Sequence, residues 1–178
     1  MTNNKVAFRY AKAILLLAQE TKQTDVILQD FEFIHNMLLN SKEFYALTQN
    51  PIIRPSKKVV IFNELFKDKI SDFTLKFLIL VVNKNRDKLL KSIMTSYFDQ
   101  YNELNNRLQI QVYTAKELNQ EIKNSIISKV KEWTGKTILP EFSIDSKIIG
   151  GIQIKFSDYF YDASIRSQLE NLYLELAN

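Results

Sequence analysis

At 178 residues, 46% of them hydrophobic, the chain can bury a true core in one large domain or two small ones, which excludes a disordered tail. It carries no cysteine, so disulfides, thiolate catalysis and cysteine-ligated metal centres are excluded as well. A net charge of +4 invites a nucleic-acid reading, but the lysines alternate with acids in "KDKISD" and "KVKEW" and form no block of like charge, the pattern of a solvated mixed surface.

Basic residues precede the apolar run "AILLLA" near the start, superficially like a secretory signal. Arg9 and Lys12 interrupt that approach and no small-residue cleavage site closes the run. Phe8, Ala11, Leu15 and Ala18 recur at three- and four-residue steps, so the spacing predicts a first helix over about 4–21. Neither this run nor "FLILVV" at 77–82 approaches the roughly 20 residues of a membrane-spanning helix. Val26, Ile27, Phe31, Ile34, Met37 and Leu38 predict a second helix over about 24–39, and a short third follows near 42–48. Asn50 and Pro51 mark a loop, after which Pro55 opens a helix reaching Phe66, since the first helical position needs no N–H. Ser71 caps a fifth helix over about 72–84, apolar on more than one side and expected at the centre; a sixth covers about 87–105. Six helices on short loops predict an antiparallel bundle for residues 1–105.

At "RLQIQVYT", residues 107–114, the apolar period falls from about 3.6 to 2, which begins a strand and a small α+β unit over residues 106–178. In "TAKE", Thr114 and Glu117 form a capping-box pattern for a helix running through Leu118, Ile122, Ile126 and Val130 to Trp133, with Gly135 as a left-handed stop. "ILPEFSI" reads as a strand that Pro140 confines to an edge or a late ladder start. "IIGGIQIKF" returns from the "DSK" turn, so 138–156 is expected to be a hairpin. Asp162 is expected to cap a last helix lined by Ile165, Leu169, Leu172 and Leu176.

Little here suggests bond-making chemistry. Gly150 and Gly151 fail as a phosphate cradle because a strand, and no helix, follows them; a bulge or a close contact with a packed helix accounts for both. His35 is the sole histidine and no second ligand accompanies it, so neither a metal site nor a catalytic triad is expected. Asp158 and Asp162 are read as turn and cap residues rather than a carboxylate pair. The aromatic residues fall at helical spacing, as a core does, and the wide apolar helix faces point to a partner.

Four motifs in order resemble the delta subunit of the F-type ATP synthase, the family of the mitochondrial oligomycin-sensitivity-conferring protein. They are "RYAKAI" at Arg9 to Ile14, "NPIIRPSKK", "FLILVVNKNR" with Arg86, and "DSKIIGGIQIKFSDYFYDASIRSQLENL". The last carries the glycine pair, the Asp-x-Ser of Asp162 and Ser164, and the spacing of Arg166 and Leu169. Ala163 stands where many members have glycine, and Asn83 and Lys84 where a more acidic or shorter stretch is usual.

The resemblance implies a non-catalytic stator subunit that ties the catalytic head to the membrane sector, with no cofactor or metal. It implies that residues 1–105 bind N-terminal helices of the α subunits, through Tyr10, Ala13, Ile14, Leu17, Phe77, Leu80 and Val81. Residues 106–178 would meet the b subunit of the peripheral stalk, with Gly150, Gly151, Asp162 and Ser164 in structural roles. The expected location is peripheral, on the cytoplasmic face of a bacterial inner membrane or the matrix side of a mitochondrial one; the absence of an evident transit peptide favours a bacterial or processed organellar chain. A basic RNA-binding or ribosome-associated factor is the alternative, and it would lose affinity steeply with salt.

Overall fold

A computed structural model of the chain describes residues 2–146, 148–156 and 159–176. These are mostly helical, with a four-stranded sheet toward the C-terminus, and form two compact units, residues 1–101 and 102–178.

The first unit contains α1 (Thr2–Glu20), α2 (Thr24–Asn40), α3 (Lys42–Gln49), α4 (Pro55–Phe66), α5 (Asp72–Asn83), a 3-10 turn at Asp87–Leu89, and most of α6 (Leu90–Leu104). Local chemistry accounts for the boundaries. Ser41 and Ser71 accept from the amides of Phe44 and Thr74, satisfying donors that a helix start leaves without partners, and Pro55 occupies the first position of α4. The amides of Lys22 and Gln23 return to the carbonyls of Gln19 and Ala18, the paired bonds of a Schellman ending; Asn85 and Arg86 do the same to Val82 and Val81.

One apolar cluster fills this unit, with Ala7, Ala11, Ile14 and Ala18 contributed by α1, Phe31 and Ile34 by α2, Phe62 and Phe66 by α4, Leu78 and Val81 by α5, and Ile93 and Tyr97 by α6. Phe8, which the spacing placed on the inward stripe of the first helix, is half exposed; the core stripe runs through the alanines beside it. The fifth helix is likewise one-sided, burying Thr74, Leu78, Val81 and Val82 while Lys76 and Leu80 face outward.

Two polar tethers cross the core. Asp30 of α2 is buried and accepts from the Ser71 amide at 3.0 Å and the Ser71 hydroxyl at 2.6 Å, fixing the start of α5. Lys58 of α4 and Asp87 of the 3-10 turn form a buried ion pair, and the Lys58 ammonium also donates to the Thr48 carbonyl at the end of α3.

In the second unit β1 (Arg107–Thr114), α7 (Gln120–Thr134), β2 (Thr137–Ile144), β3 (Gly151–Phe156), β4 (Tyr159–Ser164) and α8 (Ile165–Leu176) follow in turn. The sheet order is β2-β1-β3-β4, with β1 parallel to β2 and antiparallel to β3. The expected hairpin over 138–156 is therefore absent: β1 lies between its two arms, and β3 pairs antiparallel with β4 on its other side. β2 is parallel to β1 because α7 carries the chain back to the same end of the sheet. Pro140 sits on this edge strand, where its missing N–H costs no ladder bond.

The expected capping box is also corrected. Thr114 ends β1 and its hydroxyl donates to the Lys116 carbonyl, holding a turn, while Asn119 caps α7 by accepting from the Ile122 amide at 2.9 Å. Gly135 closes that helix at φ 67°. Asp162 lies within β4 and does not cap α8; Ser164 does, accepting from the Ser167 amide. Asp158 and the side chains of Leu172 and Leu176 lie outside the described residues.

Gly151 opens β3 at φ +83°, opposite Ser164. A Cβ there would collide with the Ala163 carbonyl oxygen and stand 3.0 Å from the Ser164 Cα. At Gly150 the nearest obstacle is the tip of the Ile165 side chain, and the Gly150 carbonyl accepts from the Ile165 amide. The glycine pair thus lets the β4–α8 junction lie directly against the start of β3.

Candidate partner surfaces

In the first unit, Tyr10 of α1 meets Phe77 of α5 edge-on, with ring centroids 6.4 Å apart, and Phe31 backs Phe77 at 5.8 Å. Ile14 and Val81, expected among the contact residues, are fully buried in the apolar cluster against which Tyr10 and Phe77 pack. The exposed members flank it: Leu17 retains 47% of its surface and Leu80 48%, with Ala13 also open to solvent. Sequence spacing could not separate Ala13 from Ile14, because adjacent positions lie only about 100° apart around a helix and the core boundary passes between them. The structure thus brings Tyr10 and Phe77 together, leaves Ala13, Leu17 and Leu80 accessible, and withdraws Ile14 and Val81.

His35 also belongs to packing. Its ring stands edge-on to Phe98 at 5.5 Å, and burial, aided by the nearby Lys91 charge, lowers its pKa. Burial pushes the Tyr97 hydroxyl upward, with Tyr101 and Asp25 adding to the effect; that hydroxyl donates to the Thr24 carbonyl.

The second unit has a surface that sequence spacing did not reveal. One sheet face is apolar across all four strands, through Ile138, Ile110 and Val112, Ile152 and Ile154, and Ala163. Ile126 and Val130 of α7 pack against this face, whose core includes Ile110, Val112, Ile138 and Ile154. Between α7 and the β3–β4 side remains a cavity of about 750 Å³ lined by Ile122, Trp133, Ile152 and Tyr161 among others. Trp133, the only tryptophan, is 68% exposed at this cavity and meets Tyr161 edge-on at 5.9 Å. The helical period gave the helix through Ile122 and Trp133 but not this cavity; the missing signal was the non-local strand order.

Asp162 organises the junction beside this cavity. It accepts from the hydroxyl and amide of the following turn, Ser167 Oγ at 2.6 Å and the Ser164 amide at 2.8 Å, and from the Gln153 side chain at 2.9 Å. These bonds, the Ser167 hydroxyl first, hold its pKa down at about 2.

Among the described residues no helix is long and apolar enough to cross a membrane. The family model described as ATP synthase delta (OSCP) subunit matches residues 6–176. The ATP synthase subunit delta of Christiangramia forsetii is 35% identical over 176 residues, covering 99% of this chain and 95% of the relative. That of a Synechococcus species is 34% identical over 169 residues, covering 94% and 92%. A chain in the cryo-EM structure of the mitochondrial ATP synthase hexamer of Toxoplasma gondii shares the fold, with a TM-score of 0.76 over 97% of each chain at 19% identity.

Proposed function

This chain belongs to the ATP synthase delta (OSCP) subunit family, and we propose that it serves as a non-catalytic part of the peripheral stalk of an F-type ATP synthase. Its work is to hold the catalytic head still while the rotor turns, so binding strength and stiffness are the properties that matter. The helices of residues 1–105 act as a bundle that receives an N-terminal helix of an α subunit along the α1–α5 seam. Residues 106–178 meet the end of the b subunit, with the cavity beside Trp133 as the receiving surface. The chain is thereby held at the membrane through the complex, on the cytoplasmic face of a bacterial inner membrane or its organellar equivalent.

The observation that carries the first contact is the half-exposed pair Leu17, two turns along α1 from Tyr10, and Leu80, one turn along α5 from Phe77; the Tyr10 and Phe77 rings meet. An amphipathic helix laid over the rings would cover both leucines and find a rigid aromatic floor. Full burial of a leucine contributes about 1.5–3 kcal/mol, so covering the remaining half of each yields about 1 kcal/mol per side chain. Leu80→Asp loses that gain and adds the cost of desolvating a carboxylate, together at least about 1.4 kcal/mol, or tenfold in affinity.

Calorimetric titration of an α-subunit N-terminal peptide against wild type, Leu80→Asp and Ala13→Asp tests this, with circular dichroism to confirm folding. The loss should change little with salt because the contact is apolar, whereas a phosphate-binding surface would respond strongly. Unchanged affinity in two well-folded variants would exclude the seam.

A further inference from the structure

We propose that the outward face of α1, which borders the α1–α5 seam at Ala13, is a second docking surface, and that it takes an acidic amphipathic helix of a protein partner. Lys5, Arg9, Lys12 and Leu16 follow one another at four-, three- and four-residue steps, and with Phe8 and Ala13 they line a shallow cavity of about 700 Å³. At 3.6 residues per turn they fall in an arc opposite the core stripe of Ala7, Ala11, Ile14 and Ala18. A helix face turned to water is ordinarily mostly polar; here Phe8 and Leu16 are each 49% exposed, two turns apart, on the face that carries the cations.

The charges on this face are of one sign. Glu20 is the only acid within α1, at its last position, and none lies in the first turn. Among the described residues no carboxylate pairs with Lys5, Arg9 or Lys12. Lys5 lies in the first turn of α1, where the helix dipole disfavours a cation. A partner carrying carboxylates would relieve that cost while its apolar side chains covered Phe8 and Leu16. The adjoining cleft toward α6 holds Lys91 and Asp99, which offset each other and leave the α1 cations to set the sign.

The excess charge of the whole protein has the same bias. Of 24 Lys and Arg and 20 Asp and Glu, fifteen and ten lie within residues 1–101, so the surplus of positive charge is confined to the unit that bears this face. Separated apolar side chains with cations between them fit a helix running alongside α1 over three turns, about 16 Å, better than a bilayer or a bare phosphate chain.

The test uses the full chain and an 18-residue synthetic peptide with leucines at helical spacing and glutamates on both flanks, beside a control with lysine for glutamate. The acidic peptide should bind, and the control should not. Lys5→Glu, Arg9→Glu and Lys12→Glu together should weaken binding at least about tenfold, and more at low than at moderate salt. Phe8→Ala with Leu16→Ala should weaken it at least about fivefold, while Leu80→Asp should leave it within about twofold. Equal binding of the two peptides, or loss that follows Leu80→Asp instead, would overturn the proposal. So would tight binding of vesicles of anionic phospholipid, or of a single-stranded oligonucleotide, that the charge reversals abolish while the acidic peptide fails to bind.

Discussion

Gly151→Val places the heaviest demand on the second unit. The glycine is held at φ +83°, where an L side chain costs about 1–2 kcal/mol and a β-branched one is especially poorly accommodated. The new Cβ also meets backbone, the Ala163 carbonyl and the Ser164 Cα at 3.0 Å, so relief requires β3 and β4 to separate. Overpacking of this kind costs about 1–3 kcal/mol, which brings the total to about 2–5 kcal/mol. Gly150→Ala is the matched control: its Cβ meets only the mobile end of Ile165 and its φ carries no strain, so it should cost less than about 1 kcal/mol. For a unit of this size a loss of about 3 kcal/mol lowers the melting temperature by about 12–24 °C. Trp133, the sole tryptophan, lies in the second unit and reports its unfolding by fluorescence. Limited proteolysis of the same variant should leave a stable fragment of about the first 105 residues, because its helices are untouched. A Gly151→Val protein that melts with wild type, or one cut first within α5, would refute the reasoning.

Two further outcomes follow from the polar contacts. Asp162 has a folded-state pKa of about 2 against an ordinary 3.8, so the stability it contributes is complete above about pH 4 and is lost as the pH falls toward 2. Asp162→Asn should therefore flatten the acid limb of the second unit's stability, as followed by Trp133 fluorescence; an acid limb identical to wild type would exclude this carboxylate as its source. Lys58→Met leaves Asp87 charged and buried without its partner and should cost about 3–5 kcal/mol in urea unfolding followed by circular dichroism. Adding Asp87→Leu should recover most of that loss, and a double variant as unstable as the single one would argue against an ionic origin.

The helical half was legible because its boundaries are set locally. Ser71 and Pro55 act through bonds or dihedrals within a few residues, as Gly135 does in the second unit, and the helix ends fall within one or two residues of those expected from these signals. Strand pairing is not local. Nothing in "ILPEFSI" or "IIGGIQI" records that β1 will come between them, and the alternation of each strand is the same in either arrangement. Asp162 was misread for a related reason: a residue before a helix cap and a residue in a strand share the extended region, so an Asp-x-Ser sequence fits both. At the α1–α5 seam the residue types were legible, but which side of each helix is buried depends on neighbours distant in sequence. Ile14 and Val81 went to the core, and Phe8 was turned out to water.

Lys22, Asp68, Asn85 and Asn106 all hold positive φ, between 50° and 64°, at or just beyond the ends of α1, α4, α5 and α6. Glycine is the usual occupant of such corners, yet the whole chain has only three. Each side chain accepts up to about 1–2 kcal/mol of steric cost and in exchange confines its corner to a narrow well, where glycine would also visit the mirror-image regions. Summed over successive corners, that removes angular play between the rods. Within the first unit, where Lys22, Asp68 and Asn85 hold three such corners, a helical body loaded sideways by every stroke of a rotary engine has little backlash of its own.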